Sequence, residues 1–166
     1  LGEPGSGKTT TLLELGSELI GRAKSDPKER VPIVLNLSSW KKNQPLADWI
    51  VEELSSKYRV PVKIGHAWLK NDYLLPFLDG LDEVQEDRAR LVQKVEAFST
   101  QAVSKGNKVV VTSRIVGYLD APLRANDWRL FTLLDFDRKA IEQFVDKWCW
   151  AFEKSTLGDT RQARSL

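Results

Sequence analysis

The chain has 166 residues, 42% of them hydrophobic and 29% charged, enough for one domain with its own core. A formal net charge of +2, with no run of five like charges, is too small to indicate a nucleic-acid surface by itself, and one His with one Cys excludes an internal disulfide and leaves little for a transition-metal site. No stretch approaches eighteen apolar residues, so nothing reads as a membrane span, and the lone Cys149 fits a reducing, cytoplasmic setting as a small apolar residue on a helix.

Residues 2–9 read Gly2-Glu3-Pro4-Gly5-Ser6-Gly7-Lys8-Thr9, a complete P-loop, G-x-x-x-x-G-K-[ST], with Thr10 behind it. Gly2, Gly5 and Gly7 permit backbone angles and close approaches that a Cβ would block. Successive N–H groups then cradle phosphates, and the next helix adds its positive end. Lys8 is expected to reach the β- and γ-phosphates, and the Thr9 hydroxyl to ligate Mg²⁺. Such a loop follows a buried strand, yet only Leu1 precedes it and the chain has no Met. Both point to a piece of a longer chain whose first strand is cut away.

A helix is expected over residues 7–22, with Leu12, Leu13, Gly16, Leu19 and Ile20 on one stripe. The charged stretch 24–30, with Pro27, reads as a loop. Residues 31–37 (VPIVLNL) form a continuous apolar run, typical of a strand buried on both faces. After a polar loop at 38–44, a second helix starts near Pro45 and carries Leu46, Trp49, Ile50, Leu54 and Tyr58 on one face. A short helix follows around residues 66–70; His66 reads as an exposed or capping residue. The six tryptophans are expected mainly in core packing.

Residues 73–78 (YLLPFL) form the next strand and run into Asp79-Gly80-Leu81-Asp82-Glu83. A third helix spans 87–105, burying Leu91, Val92, Val95, Phe98 and Ala102 before Gly106. Residues 108–112 (KVVVT) make another strand, ending in Ser113-Arg114. An irregular stretch to 127 precedes a last strand at 129–133. Asp137 then caps a helix with Ile141, Phe144, Val145, Trp148 and Phe152 on one side, and the tail from 156 is polar. Strands alternate with helices, so the fold class is α/β: a three-layer sandwich with a mostly parallel sheet, its first strand truncated.

A P-loop needs a carboxylate at the end of another buried strand to hold Mg²⁺, and Asp79 is so placed. Three acids within five residues call for a cation or polarised water among them. Asp82 or Glu83 is the candidate to orient or deprotonate the attacking water, and the residues leave that pair open. Arg114 either faces the γ-phosphate or pairs with the local acids. No guanine-reading N-K-x-D occurs, since Asn107-Lys108 is followed by Val109-Val110. An L-S-G-G-Q signature and an Arg-rich kinase lid are also missing.

With these elements placed, the chain resembles the NACHT domain of the STAND class of P-loop NTPases, in particular bacterial, cyanobacterial-like members. The resemblance rests on GEPGSGKTT, on LLPFLDGLDEV with its Asp-Gly-x-Asp-Glu, on VVVTSR, on VPIVLNLSSW with PLADWIVEEL, and on FTLLDFDRKAIEQFVDKW. It implies a nucleotide-binding core over 1–134 and the start of a helical domain over 135–166. It further implies an ATP/ADP switch with slow hydrolysis that controls self-association and signalling of a larger protein, with a role in bacterial regulation or defence. On that resemblance residues 2–10 bind phosphates, Asp79 holds Mg²⁺, Asp82 and Glu83 assist hydrolysis, and Arg114 senses the γ-phosphate. The alternatives are a non-hydrolysing scaffold with structural nucleotide, and a small-molecule kinase for which only Arg124 and Arg129 offer themselves as phosphate-binding arginines.

Overall fold

Helices and strands alternate in the order α1 (Lys8–Ser25), β1 (Val31–Asn36), α2 (Leu46–Tyr58), α3 (Val62–Lys70), β2 (Leu74–Asp79), α4 (Arg88–Ser104), β3 (Val110–Val111) and α5 (Ile115–Asp120), with short 3-10 turns at Leu37–Ser39 and Leu81–Glu83. This computed structural model describes residues 1–84, 87–124 and 128–134, together with 138, 139, 141–143, 145, 146 and 149. Contacts divide the chain into two units, Leu1–Leu133 and Leu134–Leu166.

The strands form one parallel sheet in the order β1-β2-β3. β1 runs beside β2 from Val31 opposite Leu74 to Asn36 opposite Asp79, and Phe77 and Leu78 sit opposite Val110 and Val111. Parallel neighbours need crossovers, which the helices supply. Side chains alternate across the sheet. Ile33, Leu35, Leu74 and Leu78 join Trp49, Ile50 and Leu54 of α2 and Leu91, Val92 and Val95 of α4 in one buried cluster. Phe77 points to the other face, where a Cβ on Gly16 of α1 would lie 3.8 Å from its ring. The sheet is therefore the middle of three layers, as the alternation of elements predicts.

Buried indoles need a partner for their N–H. Trp40 donates to Gln44 O (3.1 Å) and Trp49 to Ser39 Oγ (3.1 Å). Trp68 departs from the core expectation and is exposed, while Trp148 and Trp150 lie outside the described residues.

Much of the outer edge of β1 is occupied. Val31 N–H faces β2 and donates to Tyr73 O (2.8 Å), so by alternation Pro32, Val34 and Asn36 present their backbone outward. Pro32 has no N–H to offer. Tyr58, at the end of α2, accepts from Val34 N–H (3.1 Å) and donates to Val34 O (3.0 Å). Asn36 O accepts from the Ser39 hydroxyl (3.0 Å).

Several expectations are corrected. On α1 only Leu12 and Gly16 are buried, whereas Leu13 and Ile20 are 56% and 40% exposed. One helical turn against a sheet covers a narrow strip, and Leu13 lies about 100° round the helix from Leu12. Tyr58 is likewise half exposed because its phenol works at the sheet edge. His66 lies on α3 and is exposed, as expected, while the helix starts earlier, at Val62. The stretch after Arg114 is not wholly irregular, since it contains α5. Residues 129–133 form no strand ladder; their backbone meets Leu1 instead, which donates to Phe131 O (2.6 Å) and accepts from Leu133 N–H (2.7 Å). Two hydrogen bonds to one residue do not make a ladder.

In the second unit, Arg138 pairs with Glu142 one turn on (3.2 Å). Ile141 and Val145 are about half exposed, and Cys149 is exposed. The expected cap Asp137, the apolar residues Phe144, Trp148 and Phe152, and the polar tail from 156 lie outside the described residues.

Candidate functional site

The P-loop turns on itself before α1. Ser6 N–H donates to Glu3 O (3.1 Å). Gly5 and Gly7 hold φ of 78° and 84°, a left-handed backbone that a side chain strains. A Cβ on Gly2 would fall 2.3 Å from Ser6 Oγ and 3.2 Å from Ser6 Cβ, so a side chain here would make the Ser6 hydroxyl turn away. Gly7 is the N-cap of α1, which aims the first free N–H groups of the helix into the loop. Lys8 folds back, and its ammonium donates to Gly2 O and Glu3 O (2.8 Å each). Pro4 and Thr10 complete this wall of the cleft.

Asp79 ends β2 at the same end of the sheet. The Thr9 hydroxyl donates to Asp79 Oδ2 (2.8 Å). The Thr112 hydroxyl donates to Asp79 Oδ1 and accepts from Gly80 N–H (2.9 Å). Both carboxylate oxygens are thus held, one by each flanking element. The register of β3 beside β2 brings Thr112, within the VVVTSR segment, to Asp79.

The acidic turn after β2 does not gather its carboxylates together. Asp82, with a side chain only 9% exposed, accepts from Arg114 N–H at Oδ1 (2.8 Å) and from Arg114 Nε at Oδ2 (3.1 Å). Arg88 donates to the Asp82 carbonyl (2.7 Å) and to Val84 O (3.1 Å). α5 closes over this turn at Gly117, where a Cβ would meet Asp82 Cβ at 2.4 Å. Glu83 is exposed and accepts one long bond from Asn36 Nδ2 (3.3 Å). Of the expected cation or polarised water among the three acids, the cation finds no cluster: among the described residues no group of three or more His, Cys, Asp or Glu side chains could hold a metal ion. Sequence separation in a tight turn does not fix direction, and each acid here leaves the turn towards a different element.

The parts nevertheless face one cleft of about 360 Å³, lined by Gly5, Gly7, Lys8, Thr9, Asp79, Asp82, Glu83, Thr112 and Arg114 among others. Loop N–H groups, one lysine and one exposed arginine favour a polyanion there. Thr9 and Asp79 offer adjacent hard oxygens, the donor type Mg²⁺ takes. A short protein ligand set suits that ion, which keeps waters and phosphate oxygens as its other ligands. The residues present therefore fit Mg²⁺.

Residues 1–151 match the family model of the NACHT domain. The chain belongs to the NACHT family. As a NACHT domain it is a nucleotide-binding module of the P-loop NTPase type. No curated protein and no solved structure matches the chain. Among the described residues of this NACHT domain no helix is long and apolar enough to cross a membrane. Asn36, Arg88 and Gly117 are site neighbours outside the motifs, and Thr112 lies within the VVVTSR segment without a role assigned to it there. Each is recruited by register or packing: Asn36 and Thr112 sit at strand ends, whereas Arg88 opens α4 and Gly117 lies inside α5.

Proposed function

We propose that this domain binds ATP and ADP with Mg²⁺ and hydrolyses ATP slowly, as a cytoplasmic switch that controls self-association and signalling of a larger protein, in a bacterial regulatory or defence setting. The observation that carries this reading is the Thr9–Asp79 hydrogen bond (2.8 Å). It places a P-loop hydroxyl and a strand-end carboxylate side by side in the cleft that also holds Lys8 and Arg114.

Each group has a task in phosphoryl transfer. Residues 2–10 hold the phosphates through backbone N–H groups, and Lys8 exchanges the Gly2 and Glu3 carbonyls for phosphate oxygens. Thr9 and Asp79 would hold Mg²⁺, which would supply positive charge against the phosphates. Arg114, half exposed, swings from Asp82 towards the γ-phosphate, where its charge stabilises the transition state. Glu83 is the better base of the two acids, because both oxygens of Asp82 are taken by Arg114. Lys8, Arg114 and Glu83 all start with protein partners. Those exchanges cost free energy and favour low turnover.

Nucleotide released on denaturing the purified full chain, and phosphate release with added ATP, test the proposal. Lys8→Ala should weaken ATP binding at least tenfold. Glu83→Gln should keep binding and lower phosphate release about 100-fold, the scale of a lost general base. No bound nucleotide and no binding of added ATP or ADP would sink the reading. Binding without any phosphate release would replace it with the scaffold reading.

A further inference from the structure

We propose that Asn36 is a positioning residue for Glu83, the base in the proposed hydrolysis, on which this inference rests. Asn36 ends β1 directly opposite Asp79 in the parallel register, so it stands at the rim of the cleft on the side away from Arg114. Its amide orientation is set by the network. Asn36 Oδ1 accepts from Ser38 N–H (2.7 Å), which turns Nδ2 towards Glu83 Oε2 (3.3 Å). Glu83 is confined from the other side as well. Its N–H donates to Gly80 O (3.0 Å), and its carboxyl carbon lies 2.8 Å from where a Gly80 Cβ would be.

The consequence is directional. With Oε2 tied to Asn36, Oε1 is left to accept a proton from water in the cleft. A base contributes only when its lone pair is held within hydrogen-bond reach of that proton. The tie is long and to a neutral donor, so it orients the carboxylate while leaving it free to move when phosphate and water arrive. Lys8 and Arg114 line the same cleft as cations, and Asp79 and Asp82 as anions, but each has its own partner. Among the described residues, Asn36 is the side chain from another element that donates to the Glu83 carboxylate.

Asn36→Asp separates the two jobs of this side chain. Aspartate keeps the acceptor for Ser38 N–H, as good a cap as asparagine, but removes the donor and sets a like charge beside Glu83. Asn36→Ala removes both. ATP turnover, ATP affinity and thermal melting are measured on the full chain for wild type and both variants. We expect Asn36→Asp to melt like wild type and bind ATP with unchanged affinity and KM, while kcat falls tenfold to 100-fold, the range of a misplaced catalytic group. Asn36→Ala should lower kcat similarly and also melt earlier. A kcat for Asn36→Asp within twofold of wild type would overturn the assignment while leaving the hydrolysis reading intact. Wild type that binds no ATP or releases no phosphate would overturn both.

Discussion

Gly117→Ala probes how firmly α5 is locked onto the acidic turn. The new Cβ would sit 2.4 Å from Asp82 Cβ and 3.3 Å from Asp82 Cα. The second contact is with backbone, so a rotamer change at Asp82 does not relieve it. Displacing Asp82 weakens its bonds from Arg114 N–H (2.8 Å) and Nε (3.1 Å). Hydrogen bonds to a charged group are worth about 1.5–3 kcal/mol, and the half-exposed Arg114 puts this pair at the low end. Alanine returns about 0.5–1 kcal/mol through helix propensity. The net expectation is a loss of about 1–2 kcal/mol. At this chain length that lowers Tm by roughly 2–8 °C. Gly21→Ala in α1 is the control, because nothing lies within 4 Å of its Cβ. There the helix term acts alone and Tm should rise by about 2 °C. Circular dichroism melts of the two variants decide the matter. If Gly117→Ala melts at or above wild type, the close packing of α5 on Asp82 is wrong.

Two further perturbations follow from the fold. Lys42, 2.9 Å from Asp87, holds that carboxyl below its ordinary value of 3.8 by hydrogen bonding and by charge, with Arg90 adding to it. A depressed folded value means that the contribution is present above the ordinary value and is lost as pH falls below it. Lys42→Ala should therefore cost a little stability at pH 7, and the difference from wild type should shrink as the pH of the melt falls below 3.8; a gap that stays constant on acidification would refute the assignment. Tyr58→Phe removes two hydrogen bonds to Val34 and should cost about 1 kcal/mol in urea unfolding, with no change in ATP binding because the phenol is remote from the cleft.

The chemistry of this site was written locally, and its geometry was not. The P-loop residues, Asp79 at the end of β2 and Arg114 after β3 were legible because each sits at a change from apolar run to polar turn. Their arrival at one end of one sheet follows from parallel pairing. The directions of the acids were not legible. Asp82 faces Arg114 and Glu83 faces Asn36 because α5 and β1 arrive from distant parts of the chain. Helical periodicity located the face of α1 but overstated its width, so Leu13 and Ile20 were expected inside. α5 escaped notice because six residues with a central glycine carry too little pattern to stand out. The stretch 129–133 was expected as a strand from composition, yet a ladder depends on a neighbour, which composition does not supply.

The outer side of β1 bears on how copies of this protein can come together. Pro32 withholds a donor, Tyr58 occupies both polar groups of Val34, and Ser39 occupies the carbonyl of Asn36. A visiting extended peptide finds no open row of partners there. Strand addition is thus disfavoured on that flank. Assembly through this part of the molecule has to be made by side chains meeting side chains, which depends on sequence and discriminates between partners far better than a shared backbone does.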